Sequence, residues 1–254
     1  MEYSYNLPKV YVNNSVYSAQ NVGFRQNGYT TYNPNYLRKD SFNSNPLYDN
    51  TLDKNKIEAL VRSNSQIMGI LNEHNIPVKI NTKELKELQK GHLQDTRVIA
   101  AKIYSALPKE IKQEVNLIDL QEAAMLHDYG KILIPESILN KKGSLTPKEK
   151  DIMELHSELG YELLKQQGVK ENVLNLVKYH HQTPDGRGYP VLDDNYEYGY
   201  DNQILNVADK YSALTEKRSY KDALSKEEAL QTIAHDVDCG NVSPEIYQAL
   251  KKVV

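Results

Sequence analysis

Met125-Leu126-His127-Asp128-Tyr129-Gly130-Lys131 closes an apolar helical stretch with an imidazole and a carboxylate on consecutive residues. Those groups supply the nitrogen and oxygen donors that divalent metals take. Leu120, Ala123, Ala124 and His127 fall at i, i+3, i+4 and i+7, so the stripe that enters the core carries His127 with it. Gly130 is expected to end the helix in a left-handed turn, with Lys131 following at the rim. A His-Asp dipeptide also arises by chance, so its meaning depends on whether the chain supplies further donors.

Working outward, four more histidines fall on helical stripes. A helix from His92 puts His92, Thr96, Ile99 and Ile103 on one face. Thr146-Pro147-Lys148-Glu149 is a capping box with proline at the first helical position. It opens one long helix carrying Ile152, His156, Leu159 and Leu163 and stopping at Gly168. The next helix, from about Lys170, aligns Val173 and Val177 with His180 and His181, and runs into the turn-rich loop from Gln182 to Pro190. After an acidic, tyrosine-rich loop from Asp193 to Asp201, a helix carries Leu205, Ala208 and Asp209 on its inner side.

The flanks read as helices too. Ile57, Leu60, Val61, Met68 and Leu71 form a stripe ended by Pro77, and Asn81 with Glu84 marks an N-cap. Asp119 is expected to cap the helix that ends in His127. Ser225 with Glu228 is a second capping box, and Ser243-Pro244 starts a last short helix. No strand period appears, so the fold is expected to be all-α. Residues 1–50 hold eight of the 19 tyrosines and ten asparagines with few aliphatics, and are expected to be a disordered tail. Residues 51–80 form an N-terminal helix, and 81–254 the domain that carries the histidines.

Composition narrows the function. The chain has 254 residues, a net charge of −3 and a mean hydropathy of −0.66. No apolar run approaches the roughly 18 residues of a membrane span, and the start, Met1-Glu2-Tyr3-Ser4, lacks the regions of a signal peptide. A cytoplasmic protein without a membrane partner is expected. The acidic balance gives no footprint for a nucleic-acid polymer. Cys239 is the only cysteine, which excludes an internal disulfide and a thiolate metal cage, so metal chemistry must use His and carboxylates.

Five of the seven histidines, His92, His127, His156, His180 and His181, thus project from apolar faces, with Asp128 and Asp209 beside similar ones. Burying so many polar rings without partners is costly, so either they satisfy one another by hydrogen bonds or they surround metal. Five imidazoles and two carboxylates exceed what one ion needs, which suggests two divalent ions with Asp128 as the natural bridge. Ions roughly 3.5–4 Å apart can share a hydroxide and neutralise a phosphoryl group under attack, the chemistry of a phosphoester hydrolase. Mn, Fe, Ni, Co and Zn all accept these donors. His74 and His235 have no such setting.

At this point the chain resembles the HD-domain phosphohydrolases of the HD-GYP type. The matching stretches are His127 to Lys131, Ile134-Pro135 with Ile138 to Lys141, Gly143 to Thr146 and Met153 through His156 to Gly160. They continue with His180-His181, Asp185 to Pro190, and Val207-Ala208-Asp209 to Thr215. The resemblance runs from about His92 to Lys221. It implies an HD-domain helical bundle, a di- or trinuclear centre, and hydrolysis of a cyclic dinucleotide, above all cyclic di-GMP, by metal-bound hydroxide. On that pattern His92, His127, Asp128, His156, His180, His181 and Asp209 are metal ligands. Asp128 and Lys131 are catalytic, with Lys131 on the phosphate. Arg218 and Lys221 hold another phosphate, while Asp185, Gly188 and Tyr189 shape the pocket wall.

Departures from the pattern carry information as well. Leu88 stands where the family often has a glutamate tied to a third metal, which favours two ions. Gln182 replaces a glutamate, Ser212 an aspartate and Ser219 a proline, and Asp193, Asp194 and Glu197 make the following loop acidic. The acidic loop motivates a second reading, an HD phosphohydrolase acting on another nucleotide or phosphoester. Gln182 and Ser212 motivate a third, a signalling module that binds metal or nucleotide without turnover, its tail recruiting a partner. Helices near residues 53–75 could pair between copies as a homodimer.

Overall fold

Helix starts follow the capping side chains. Asn64, Asn116, Thr146 and Ser225 each turn an oxygen onto first-turn amides of the helix that follows, satisfying donors that a helix start leaves without intrahelical partners. The structure, a computed structural model, describes residues 10–12, 15–17, 54–88, 91–216 and 223–254. The chain divides into two units, residues 1–41 and 42–254.

In the first unit the described residues form one antiparallel ladder, β1 (Val10–Val12) with β2 (Ser15–Tyr17), pairing Val10 with Tyr17 and Val12 with Ser15. Three pairs are too short to register as an alternating pattern, which is why the sequence showed no strand. The rest of the segment expected to be a disordered tail lies outside the described residues.

The second unit is helical, as expected. Its elements are α1 (Lys54–Ser63), α2 (Ser65–Glu73), α3 (Thr82–Leu88), α4 (His92–Ala106), α5 (Lys109–Lys112), α6 (Leu117–Leu126), a 3-10 turn (Tyr129–Leu133), α7 (Glu136–Leu139), α8 (Pro147–Glu154), α9 (His156–Lys165), α10 (Glu171–Tyr179), α11 (Tyr200–Thr215), α12 (Lys226–Asp238) and α13 (Pro244–Val253). Helix α4 packs against α6, α11 and α13; α6 also meets α10, and α9 lies against the 3-10 turn and α10. Leu93, Ile103, Leu120, Ala123, Leu126, Leu159, Val177, Leu205 and Ala208 fill the space between them. Each fully buried aliphatic chain of Val or Leu size contributes about 1.5–3 kcal/mol. Ile57, Val61, Ile67 and Leu71 of α1 and α2 join the same core. No helix among the described residues is long and apolar enough to cross a membrane.

Four local expectations are corrected. The N-terminal helix is two helices, because Asn64 leaves the helical conformation to cap α2. Helix α6 starts at Leu117 under Asn116, and Asp119 instead accepts from Asn116 Nδ2 at 2.9 Å and Lys170 Nζ at 3.1 Å. The long helix expected from Pro147 breaks at Leu155, so that His156 opens α9. Gly130 is not left-handed but lies inside the 3-10 turn. Its hydrogen is needed for close approach: a Cβ there would stand 1.8 Å from the His156 carbonyl oxygen and 2.6 Å from Gly160 N.

Candidate metal centre

Helix ends deliver the imidazoles. His127 and His180 cap the C-termini of α6 and α10, while His156 follows the end of α8. Last-turn carbonyls of a helix lack intrahelical partners, and each of these rings takes one. Nδ1 donates to Ala124 O at 2.9 Å from His127, to Met153 O at 2.7 Å from His156, and to Val177 O at 2.7 Å from His180. A carbonyl can only accept, so the ring proton sits on Nδ1. In the neutral ring Nε2 therefore carries a lone pair, the state a metal-binding histidine needs.

His92 is held differently. Its Nδ1 meets Ser212 Oγ at 3.0 Å, with Glu216 Oε2 at 3.9 Å, and its Nε2 meets Asp209 Oδ1 at 2.9 Å. Asp209 and Ser212 are spaced i and i+3 along α11 and Glu216 is its C-cap, so the last turns of one helix serve this ring.

The donors gather into overlapping groups whose candidate ligand atoms lie within 4.8 Å of one another: His92, His127 and Asp209; His127, Asp128 and His180; and His156, His180 and His181. Asp128 stands between them. Its Oδ2 lies 3.5 Å from His127 Nε2 and 3.6 Å from His92 Nε2, whereas its Oδ1 lies 3.5 Å from His156 Nε2. All seven residues expected as ligands are thus brought together.

Two observations test whether this cage fits cations. The fully buried Nε2 of His127 has no hydrogen-bond partner, and 3.5 Å to Asp209 Oδ1 is longer than a well-formed hydrogen bond. The Nε2 atoms of His156 and His180 stand 3.3 Å apart, with both ring protons on the far nitrogens. Such facing lone pairs repel unless a cation lies between them. Divalent metal therefore fits these groups, with nitrogen and oxygen donors and no thiolate.

The electrostatics agree. Burial, reinforced by neighbouring His181, pushes His156 down to about 3 and His180 well below the usual histidine range. Burial also brings His181 to about 4. For His127 burial acts in the same direction, but Asp128 and Asp209 outweigh it and raise the pKa. Burial opposes ionisation of Asp128, yet Lys131, His127 and His156 hold its carboxyl well below the usual range. His127 and His92 do the same for Asp209 against the same opposition. The centre therefore holds two carboxylates and three imidazoles, His156, His180 and His181, that burial keeps neutral, while His127 has to give up a proton to ligate.

Around this centre, Lys131 Nζ lies 2.7 Å from Asp128 Oδ2. Tyr189 bridges to His181 and lays its ring over it, centroids 4.7 Å apart, with its edge toward His156 at 6.3 Å. Gly188 packs so tightly that a Cβ would stand 2.2 Å from His181 O. Asp185 belongs to its own turn, accepting from Thr183 Oγ1 at 2.6 Å and Arg187 N at 3.1 Å and pairing with the Arg187 guanidinium. The Asp185 carboxylate, expected on the pocket wall, is thus engaged within its own loop. Arg218 and Lys221 lie outside the described residues. In the acidic loop Asp193 pairs with Lys178 Nζ at 2.8 Å.

In the sequence Gln182 and Ser212 stand out only as departures from the family pattern. Both are buried and engaged: Ser212 on His92, and Gln182 on the loop that follows it, donating from Nε2 to Pro190 O at 2.6 Å. The signal that could have pointed to Gln182 is an amide side chain directly after paired histidines and before a Gly-x-Gly turn.

Residues 77–242 match the model of a protein family described as HD domain. A cyclic di-GMP phosphodiesterase of Thermotoga maritima is 36% identical over 142 residues, 55% of this chain and 38% of that protein. A 3'3'-cGAMP-specific phosphodiesterase 2 of Vibrio cholerae is 38% identical over 113 residues, 43% of this chain and 21% of that one. The chain thus spans well under half the length of either relative. Among solved structures, an HDG"Y"P protein from Bdellovibrio bacteriovorus shares the fold with a TM-score of 0.50 at 16% identity, over 82% of this chain and 75% of that chain. The family match encloses every histidine and aspartate of the centre, and the chain belongs to the HD-domain family.

Proposed function

We propose that residues 81–254 form a phosphodiesterase domain that uses two divalent cations to open a cyclic dinucleotide, cyclic di-GMP or a related one, to a linear product. The observation that carries this reading is Asp128, which turns one carboxylate oxygen toward His92 and His127 and the other toward His156. His92, His127, Asp128 and Asp209 would hold one cation; Asp128, His156, His180 and His181 would hold the other. Mn, Fe, Ni, Co and Zn fit the donor set alike. When bound, such cations lower the pKa of water and offset charge on a phosphoryl group.

The chain's own groups supply the rest. Lys131, with its ammonium on Asp128 Oδ2, places positive charge beside the point where a phosphoryl oxygen would gain negative charge. Burial pushes the Tyr189 phenol far above its usual range, so it stays protonated and can donate to a phosphate or stack on a base. Arg218 and Lys221 are assigned to a second phosphate on the family pattern. The relatives named as cyclic di-GMP and 3'3'-cGAMP phosphodiesterases support the substrate class.

The test is hydrolysis of a panel of cyclic dinucleotides by purified protein supplied with Mn²⁺ or Fe²⁺. Linear product that disappears in Asp128→Ala is the expected result. Intact cyclic dinucleotides in the presence of demonstrably bound metal overturn the proposal, and turnover of other phosphoesters alone moves the substrate to that wider class.

A further inference from the structure

His181 differs from the other four histidines of the centre. Each of those has a hydrogen bond that fixes its ring, to a helix-end carbonyl or to Ser212. Among the described residues His181 makes no such bond, and its ring is held by three others, with the His156 ring edge-on at 5.0 Å. The centroids of His180 and Tyr189 lie 3.9 and 4.7 Å from its own, at tilted angles. Of these three neighbours His156 and His180 have their own Nδ1 bonds to helix-end carbonyls, so Tyr189 is the contact that comes from the loop.

Tyr189 is placed by Gln182. The loop from Thr183 to Pro190 returns to its own start, and the fully buried Gln182 amide closes it with three bonds. Oε1 accepts from Thr183 N and Gly188 N, both at 3.1 Å, and Nε2 donates to Pro190 O at 2.6 Å. The two loop atoms on either side of Tyr189, Gly188 N and Pro190 O, are thus both tied to one side chain. Gly188 permits this because it lies on the Gln182 backbone, where a Cβ would come within 2.5 Å of Gln182 Cα. Only a group that both accepts and donates can make all three bonds, and a neutral amide does so at any working pH.

We propose that Gln182 is a positioning residue that holds Tyr189 against His181 and so sets the ring of a metal ligand and one wall of the substrate pocket. The inference rests on the metal-centre reading above. Its effect belongs to the side of the centre formed by His156, His180 and His181, since the three bonds of the Gln182 side chain all stay within its own loop.

Two measurements on variants of the full chain test it. Amide hydrogen exchange of the metal-free protein reads the clip. Thr183 and Gly188 are expected to exchange at least about tenfold faster in Gln182→Leu than in wild type, with Gln182→Glu between, because a carboxylate keeps the acceptor and loses the donor. Titration with Mn²⁺ alone reads the ligand, with affinity expected to fall about 10–100-fold in Gln182→Leu, the range for removing groups that orient a ligand. Tyr189→Ala should reproduce that loss while leaving Gly188 exchange slow, which separates the clip from the stacking. If Gln182→Leu does not fold, Gln182→Glu and Tyr189→Ala carry the same comparison. Unchanged exchange in a folded Gln182 variant, or unchanged Mn²⁺ affinity in either a Gln182 variant or Tyr189→Ala, overturns the inference. A wild type that binds Mn²⁺ and hydrolyses nothing overturns the proposed function and leaves these two readouts standing.

Discussion

The Nε2 atoms of His156 and His180 face each other at 3.3 Å, each ring having already given its Nδ1 proton to a carbonyl of the preceding turn. Neither ring can accept a second proton cheaply in this enclosure, and that refusal has a consequence for stability.

In metal-free protein, the unfolded chain binds protons on His156 and His181 as pH falls below about 6.5, whereas the folded chain holds these groups at about 3 and about 4. His180 is lowered as well. Unfolding free energy therefore rises with pH across this window, because the unfolded state binds more protons. His127, with its raised pKa, works in the opposite sense, adding stability below its folded value that fades as pH rises. Three lowered groups outweigh one raised group. The melting temperature measured by circular dichroism in chelator should fall from pH 7 to pH 5, and a flat or rising profile would contradict the assignment.

Asp128→Asn keeps size and loses charge, and its amide nitrogen cannot ligate in place of the second oxygen. Bound Mn²⁺, counted by elemental analysis, should drop below the wild-type stoichiometry, and any phosphodiesterase activity should fall by about a hundredfold or more, beyond the range seen for orienting groups. Loss of the part-buried charge pair with Lys131 should also lower metal-free stability, by about 1.5 kcal/mol. Full stoichiometry in the variant would remove Asp128 from its shared position.

Gly130→Ala would drive a methyl group into the His156 carbonyl, 1.8 Å from the ideal Cβ position. Relief requires α9 to move away from the 3-10 turn, carrying His156 with it. Overpacking of this kind costs about 1–3 kcal/mol, so the urea midpoint should fall with little change in slope. An unchanged midpoint would mean that the contact is softer than the backbone geometry indicates.

Ser212→Ala removes the hydroxyl from His92 Nδ1 while changing little volume at a buried position. Mn²⁺ affinity should weaken by about tenfold, and Gly188 amide exchange should remain as slow as in wild type, because the His92 side and the Gln182 loop are separate supports. A variant with wild-type affinity would leave Ser212 as a filler only.

How much was legible follows from the range over which each signal acts. The capping box at Thr146 is complete within four residues, and it forms as read. The inward placement of Leu120, Ala123, Ala124 and His127 follows from the helical period alone, and all four are fully buried. Asp119 was misread as a cap because Asn116 competes for the same amides, and the deciding contact, Lys170 on Asp119, lies 51 residues away. The break at Leu155 was invisible because the sequence around it has ordinary helical character. Its effect is to open α9 with His156 while leaving the Met153 carbonyl for the ring.

By itself the sequence determined the helical class, the inward histidines and the identity of the donors, since these depend on local period and side-chain chemistry. Tertiary structure alone decided which oxygen of Asp128 meets which histidines, why Gly130 must lack a side chain, and what Gln182 holds. Those are distances between segments remote in the chain, and no local preference encodes a distance until the helices have packed.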